Sequence, residues 1–82
     1  MINGLTDIDV LKTVIREAGG RDFADRTDGS VWFTSPGGNF AIADINDDGS
    51  IDMYSRLWNR HFSLMSDTII DDIKMWFERI DE

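Results

Sequence analysis

Hydrophobic residues recur along the chain with two different periods, which separate helical from extended segments. Apolar residues at helical spacing predict one helix over 6–18 and a second over 67–80. Thr6 or Asp7 is the expected N-cap of the first helix, and Ser66 is the expected N-cap of the second. The two apolar stripes comprise Ile8, Leu11, Val14, Ile15 and Ala18 in the first helix, and Ile69, Ile70, Ile73, Trp76, Phe77 and Ile80 in the second.

The central part of the chain has the composition of a β-sheet. Residues 31–34 and 40–45 are rich in β-branched and aromatic side chains, which favour strands. Residues 35–39 and 46–49 contain the Pro, Gly, Asn and Asp that are typical of tight turns. A third strand is expected to begin at Ser50, so this region predicts a three-stranded meander.

Two segments give a less distinct pattern. Residues 21–29 predict a loop or a short edge strand, closed by a turn at 27–29. The stretch from Met53 to Phe62 fits either a strand or a helix. We favour the strand because Ile51 and Met53 alternate with polar residues after a hairpin turn, and this alternation would place Leu57 on their face.

The order of these elements predicts a single α+β domain over residues 1–82. Two amphipathic helices most simply cover one face of the three-stranded antiparallel sheet, giving a two-layer fold. The other face would then be partly exposed. Aromatic residues on that face, such as Trp32 or Trp58, are candidates for a contact surface, and pairing of two copies through it would form a homodimer.

The charge of the chain limits the classes of molecule that it is expected to bind. The chain has 16 acidic and 8 basic residues, a net charge of −8, and no cysteine. A surface that binds nucleic acid directly should be basic, so an acidic chain indicates a basic protein partner or a cation. No apolar run is long enough for a membrane span, and residues 1–9 do not resemble a signal peptide, so we expect a cytoplasmic protein.

The segment from Asp44 to Asp52 resembles the calcium loop of EF-hand and dockerin-type proteins. Oxygen ligands at Asp44, Asn46, Asp48 and Asp52 have the spacing of that loop, and Gly49 permits its sharp turn. The resemblance implies a calcium-binding module. The twelfth position departs from the pattern because it is a serine instead of the usual glutamate, and the same residues also suit a plain hairpin turn.

The sequence contains no arrangement typical of a catalytic centre. His61 is the sole histidine, there is no cysteine, and no serine lies in a nucleophile elbow. We therefore predict a protein that is not an enzyme, with no catalytic residues and no cofactor unless the calcium hypothesis holds.

Acidic residues along the predicted hairpin and the second helix suggest a surface that binds a basic partner. The residues predicted for this surface are Asp47, Asp48, Asp52, Asp71, Asp72 and Glu78. In size, acidity and order of elements the chain resembles small phage-encoded inhibitors of the anti-CRISPR class, some of which mimic DNA. The resemblance implies an inhibitor of a nucleic-acid-processing complex such as a CRISPR–Cas effector.

Overall fold

A computed structural model describes residues 7–25 and 29–82 as two helices and one antiparallel sheet. The elements in chain order are α1 Asp7–Glu17, β1 Arg21–Asp25, β2 Val31–Thr34, β3 Phe40–Ile45, β4 Ser50–Ser55, β5 Arg60–Ser63 and α2 Ile69–Ile80. The predicted α+β class is confirmed. The prediction of three strands is wrong, because the sheet has five strands in the order β1-β2-β3-β4-β5, each antiparallel to the next.

The fifth strand arises because the chain reverses direction within the ambiguous Met53–Phe62 stretch. The Ser55 hydroxyl donates to the carbonyl of Trp58 (2.7 Å) and accepts from its backbone N–H (2.9 Å), which closes a hairpin between β4 and β5. Leu57 lies in this hairpin and is 65% exposed, so it does not share the buried face of Ile51. A turn built by a serine side chain lacks the Gly-rich signature that marks the other hairpins.

Both predicted helices are present, and the start of α2 is shifted. Helix α2 begins at Ile69 instead of Asp67, and its N-cap is Thr68, which makes no side-chain capping hydrogen bond. The hydroxyl of Ser66 instead accepts from the backbone N–H of Thr68 (3.2 Å) in the turn before the helix. The Thr6 cap and the turn at 27–28 fall outside the described residues, as does the side chain of Asp7.

The hydrophobic core lies between the two helices and one face of the sheet. Alternate strand residues belong to one cluster with the apolar stripes of both helices, so the helices cover the same face. The strand residues of the cluster are Val31, Phe33, Ala41, Ala43, Ile51, Met53 and Phe62. Phe33 and Phe77 meet edge to face, with ring centroids 6.1 Å apart, which joins the sheet to α2.

The edge strand β1 is irregular. Its pairing with β2 shifts register between Arg21 and Ala24, and Asp22 has a positive φ of 58°. A bulge of this kind bends an edge strand and obstructs pairing with a strand of another molecule.

A carboxylate at the end of α2 fastens that helix to the β2–β3 turn. Asp81 accepts hydrogen bonds from the buried hydroxyl of Ser35, from the backbone N–H of Gly37 (2.8 Å) and from Nδ2 of Asn39 (2.7 Å). The same Asn39 nitrogen donates to the carbonyl of Ile80 (3.1 Å). A Cβ atom at Gly37 would lie 2.5 Å from the Asp81 carboxyl carbon, so the contact requires glycine there.

We call the contacts of Asp81 with Ser35, Gly37 and Asn39 the clasp. Its hydrogen bonds determine the charge state of Asp81. Burial alone would raise the pKa of Asp81, but the hydrogen bonds from Ser35, Asn39 and Gly37 together hold that pKa below its ordinary value of 3.8. The clasp therefore stabilises the fold above that pH, and the stabilisation is lost as the pH falls through the lowered pKa.

Replacing Asp81 tests the clasp. We expect Asp81→Ala to lower the free energy of unfolding by roughly 1–3 kcal/mol at neutral pH, because it leaves the buried Ser35 hydroxyl without its carboxylate partner. Urea denaturation measures the change, with Glu82→Ala as the control. The difference between wild type and Asp81→Ala should shrink well below pH 3.8, and a difference independent of pH would contradict the role of the charge.

Candidate protein-binding face

The face of the sheet that points away from the helices carries an ordered arrangement of side chains, which we call the open face. It consists of alternate residues of β2 to β5, namely Trp32, Phe40, Ile42, Asp44, Asp52, Tyr54 and His61. The strand register arranges six of these residues as two rows that cross the sheet, one apolar and one acidic.

The apolar row contains Trp32, Ile42 and Tyr54, which are paired in register across β2, β3 and β4. Phe40 extends this row, since its ring meets that of Trp32 edge to face at 5.1 Å between centroids. Phe40 and Tyr54 are 47% and 39% exposed, although both are large apolar side chains. A cluster of large aromatic side chains with this much exposure is typical of a contact surface.

The acidic row contains Asp44, Asp52 and His61, which are paired in register across β3, β4 and β5. On β3 and β4, the two strands that carry members of both rows, this row lies two residues from the apolar row, a distance of roughly 7 Å. Two carboxylates directly opposite each other repel, so the pairing of Asp44 with Asp52 is unfavourable in the isolated protein. A cationic group placed above this row would relieve the repulsion.

Asp52 is held by side chains on both sides. Nδ1 of His61 lies 2.7 Å from one carboxylate oxygen, and Nδ2 of Asn46 lies 3.1 Å from the other. The hydrogen bond from His61, followed by that from Asn46, lowers the pKa of Asp52 below its ordinary value. Asp52 therefore stays ionised in mild acid.

The hairpin between β3 and β4 extends the acidic row beyond the sheet. Gly49 adopts a positive φ of 85° and donates its N–H to the carbonyl of Asn46 (3.0 Å). Asp48 accepts from the hydroxyl of Ser50 (2.6 Å) and from its backbone N–H (2.9 Å), and the hydroxyl contributes most to lowering the pKa of Asp48. Asp47 is exposed at the turn and, within residues 7–25 and 29–82, its carboxylate has no hydrogen-bond partner.

The four predicted calcium ligands do not form a preformed cage in this conformation. The amide of Asn46 donates to Asp52, and Asp48 is bonded to Ser50, so a calcium ion would have to replace these hydrogen bonds. Among the described residues there is no group of three or more His, Cys, Asp or Glu that could hold a metal ion. Asp44 and Asp52 are neighbours across the strands. Calcium binding stays a prediction.

The six residues predicted for partner binding are divided between two layers. Asp52 lies on the open face, and Asp47 and Asp48 lie on the adjoining hairpin. The remaining three are on α2, which packs against the opposite face. Asp71 and Glu78 are exposed on that helix, whereas Asp72 is half-buried and accepts from the hydroxyl of Thr68 (3.1 Å).

The sequence pattern predicted some residues of the open face but not others. Trp32 lies on it, as expected of a sheet aromatic, but Trp58 lies in the β4–β5 hairpin. Phe40, Ile42 and Tyr54 were not singled out, because each is an ordinary strand residue by itself. The two tight turns fix the register that places Ile42 between Trp32 and Tyr54.

Comparisons with protein-family models, curated proteins and solved structures gave no match to this chain. In the part of the chain that the structure describes, no helix has the length and apolar character to cross a membrane.

The hydrogen bond between His61 and Asp52 can be tested by titration. We expect His61→Ala to raise the pKa of Asp52 toward 3.8, because that hydrogen bond contributes most to the lowered value. Carbon-detected NMR titration of the carboxyl groups measures this pKa directly. The pKa of Asp81, which His61 does not contact, serves as the internal control, and an unchanged Asp52 would contradict the assignment.

The calcium hypothesis makes its own prediction for the hairpin. If the loop binds calcium, the ion should raise the thermal midpoint, because a ligand that binds only the folded state stabilises it. Asp48→Ala should remove this rise, and magnesium should give a smaller one. A midpoint that does not respond to calcium would identify the segment as a hairpin turn alone.

Proposed function

We propose that this protein is a non-enzymatic binding protein that engages a basic surface of another protein through the open face. The observation that carries the proposal is the pairing of a partly exposed apolar row with a parallel acidic row on the uncovered side of the sheet. Apolar contact supplies affinity at the centre of an interface, and charge supplies orientation and rate of association.

The charge of the open face supports a basic partner. The acidic row and the adjoining hairpin place four carboxylates at one end of the sheet, those of Asp44, Asp47, Asp48 and Asp52. The net charge of −8 extends this field over the whole molecule. A cationic partner is therefore attracted before contact and oriented with its basic residues over the acidic row.

A second copy of the chain fits the open face poorly. If two copies stacked with their rows aligned, the acidic rows would face each other and repel. If one copy were reversed, each acidic row would be buried against an apolar row, and an unpaired charge in an apolar setting is strongly unfavourable. A basic partner avoids both outcomes, so we favour it over a homodimer.

The surroundings of His61 support a binding role over a catalytic one. Asp52 orients the imidazole as a carboxylate does in a catalytic triad. Among residues 7–25 and 29–82, however, no hydroxyl group hydrogen-bonds to His61, and a nucleophile would need that contact. The contact between His61 and Asp52 is better explained as one that holds the acidic row in position.

The narrower hypothesis is that the partner is a nucleic-acid-processing complex, such as a CRISPR–Cas effector, inhibited by a DNA-mimicking surface. It is supported by the resemblance in size and acidity to phage-encoded inhibitors, and by carboxylates that line one end of the face. A protein of this kind would compete with nucleic acid for its partner.

Capture from host lysate with matched variants tests this function. We expect Asp44→Asn/Asp52→Asn to weaken capture of the partner without unfolding the domain, because the change removes charge and relieves repulsion between the two residues. Phe40→Ala/Tyr54→Ala should weaken it by roughly tenfold or more, as loss of interface aromatics commonly does. Quantitative mass spectrometry at low and high salt measures both effects.

The control is Asp71→Asn/Glu78→Gln, which removes two charges from the opposite layer and should leave capture unchanged. Capture should fall steeply as salt rises, and duplex DNA should compete if the partner binds nucleic acid. If the α2 variant lost the partner while the open-face variants kept it, the open face would not be the binding surface. Equal capture by all variants would refute the proposed function.

A further inference from the structure

A second surface, at the side of α2, differs in charge from the rest of the molecule. A groove of about 310 Å³ runs between the β4–β5 hairpin, β5 and α2, and its lining consists of Trp58, Asn59, Arg60, Trp76 and Arg79. None of these lining residues is acidic. We call it the arginine groove. The open face lies on the other side of the sheet. The two surfaces adjoin at β5, where Asn59 and Arg60 also line a hollow with Asp52, Tyr54 and His61.

The two guanidinium groups of the groove are not paired with any carboxylate of residues 7–25 and 29–82. Arg79 stacks on the ring of Trp58, 4.4 Å from its centroid, and Arg60 lies over the ring of Phe62 at 5.5 Å. Within residues 7–25 and 29–82 neither guanidinium makes a hydrogen bond or a salt bridge. In a chain with 16 acidic residues, two arginines that have no carboxylate partner among the described residues keep their donors available for an external anion.

The groove is built on supported side chains. Trp76 is buried, and its indole N–H donates to the carbonyl of Trp58 (3.2 Å), which fixes the hairpin against α2. Ser55 holds the Trp58 backbone from the other side through its hydroxyl. The stacked guanidinium of Arg79 is thereby pre-organised, so less conformational entropy is lost when it binds an anion.

The charges around the groove select the kind of anion. A neighbouring groove shares Arg60, Trp76 and Arg79 but also has Asp72, Glu78 and Glu82 in its lining, so carboxylates border the site. These acids and the net charge of −8 repel a polyanion such as nucleic acid. A short segment with one or two carboxylates meets less repulsion, and its planar carboxylates match the fork of a guanidinium.

We propose that the arginine groove binds a short acidic peptide segment of a protein, with carboxylates on Arg60 and Arg79 and apolar contact with Trp58. The exposed indole of Trp58 and the nearby side chain of Met75, which is 63% exposed, supply that apolar contact. The residues that line this site differ from those of the two rows of the open face. A protein with both would hold a basic surface and an acidic segment at the same time.

Titration with a defined peptide tests the groove. The probe is a short capped peptide with two adjacent glutamates between alanines, and NMR follows the indole N–H signals of the three tryptophans. We expect the Trp58 and Trp76 signals to shift and saturate, while Trp32 on the open face stays unshifted. The same peptide with glutamines in place of glutamates should cause no saturable shift.

Substitutions then assign the binding to the arginines. Arg60→Gln and Arg79→Gln should each weaken the peptide by about tenfold, since a hydrogen bond to a charged group contributes on that order. Arg79→Lys keeps the charge but loses the planar fork, so it should also weaken binding. Lys74→Gln removes the same charge from α2 outside the groove and should leave binding unchanged. The dispersion of the backbone amide signals verifies that each variant is folded.

Three results would overturn the proposal. Equal shifts with the glutamine peptide would show that the carboxylates are not recognised. Equal saturation with inorganic phosphate would make the groove a general anion site, and tighter binding of a single-stranded oligonucleotide would assign it to nucleic acid. None of these outcomes bears on the open face, whose test uses different residues.

Discussion

The coverage of one sheet face by two helices is the constraint on which the rest of the molecule depends. A strand presents its side chains alternately to both faces, so a sheet with a single helical layer has one buried and one uncovered set. Val31, Ala43 and Met53 belong to the buried set and are inaccessible to solvent. Trp32, Ile42 and Tyr54 belong to the uncovered set, although their side chains are also largely apolar. The open face follows from the number of helices.

The C-terminal half of α2 is held to the sheet by two contacts. At its C-terminal end, Asp81 binds the β2–β3 turn through Ser35 and Gly37. Earlier in the same half of the helix, the indole N–H of Trp76 donates to the carbonyl of Trp58 in the β4–β5 hairpin. These two contacts tie the helix to turns at separate places on the sheet. The second contact also shapes the arginine groove, because it positions both of the groove's tryptophans.

Acidic and basic side chains are distributed unequally between the two surfaces. Carboxylates gather at the β3–β4 hairpin, where Asp48 and Asp52 are held ionised by hydrogen bonds. Arg60 pairs in register with Met53 of β4. It and Arg79 of α2 lie over aromatic rings and have no carboxylate partner among the described residues. A net charge describes neither surface, since it averages over both. The position of each charge relative to its neighbours decides what can bind there.

Local patterns in the sequence were sufficient to predict much of the fold. Strands β2 and β3 were predicted with their observed bounds, because Gly-rich and Asn-rich turns border them on the sides where they join. Both helices were predicted from their apolar stripes. The β4–β5 hairpin was missed because its turn is closed by a serine hydroxyl, and that contact depends on residues three positions apart adopting a particular conformation. The start of α2 was misplaced because Ser66 bonds a preceding turn.

The sequence by itself determined the α+β class, the acidity and the two amphipathic helices, since these depend on composition and on spacing within one segment. Only the tertiary structure decided which side chains meet. The apolar row requires the register of three strands, and the arginine groove requires Arg60 of β5 beside Arg79 of α2. Such contacts join residues far apart in the chain, and their distances depend on how the elements pack, which no local pattern encodes.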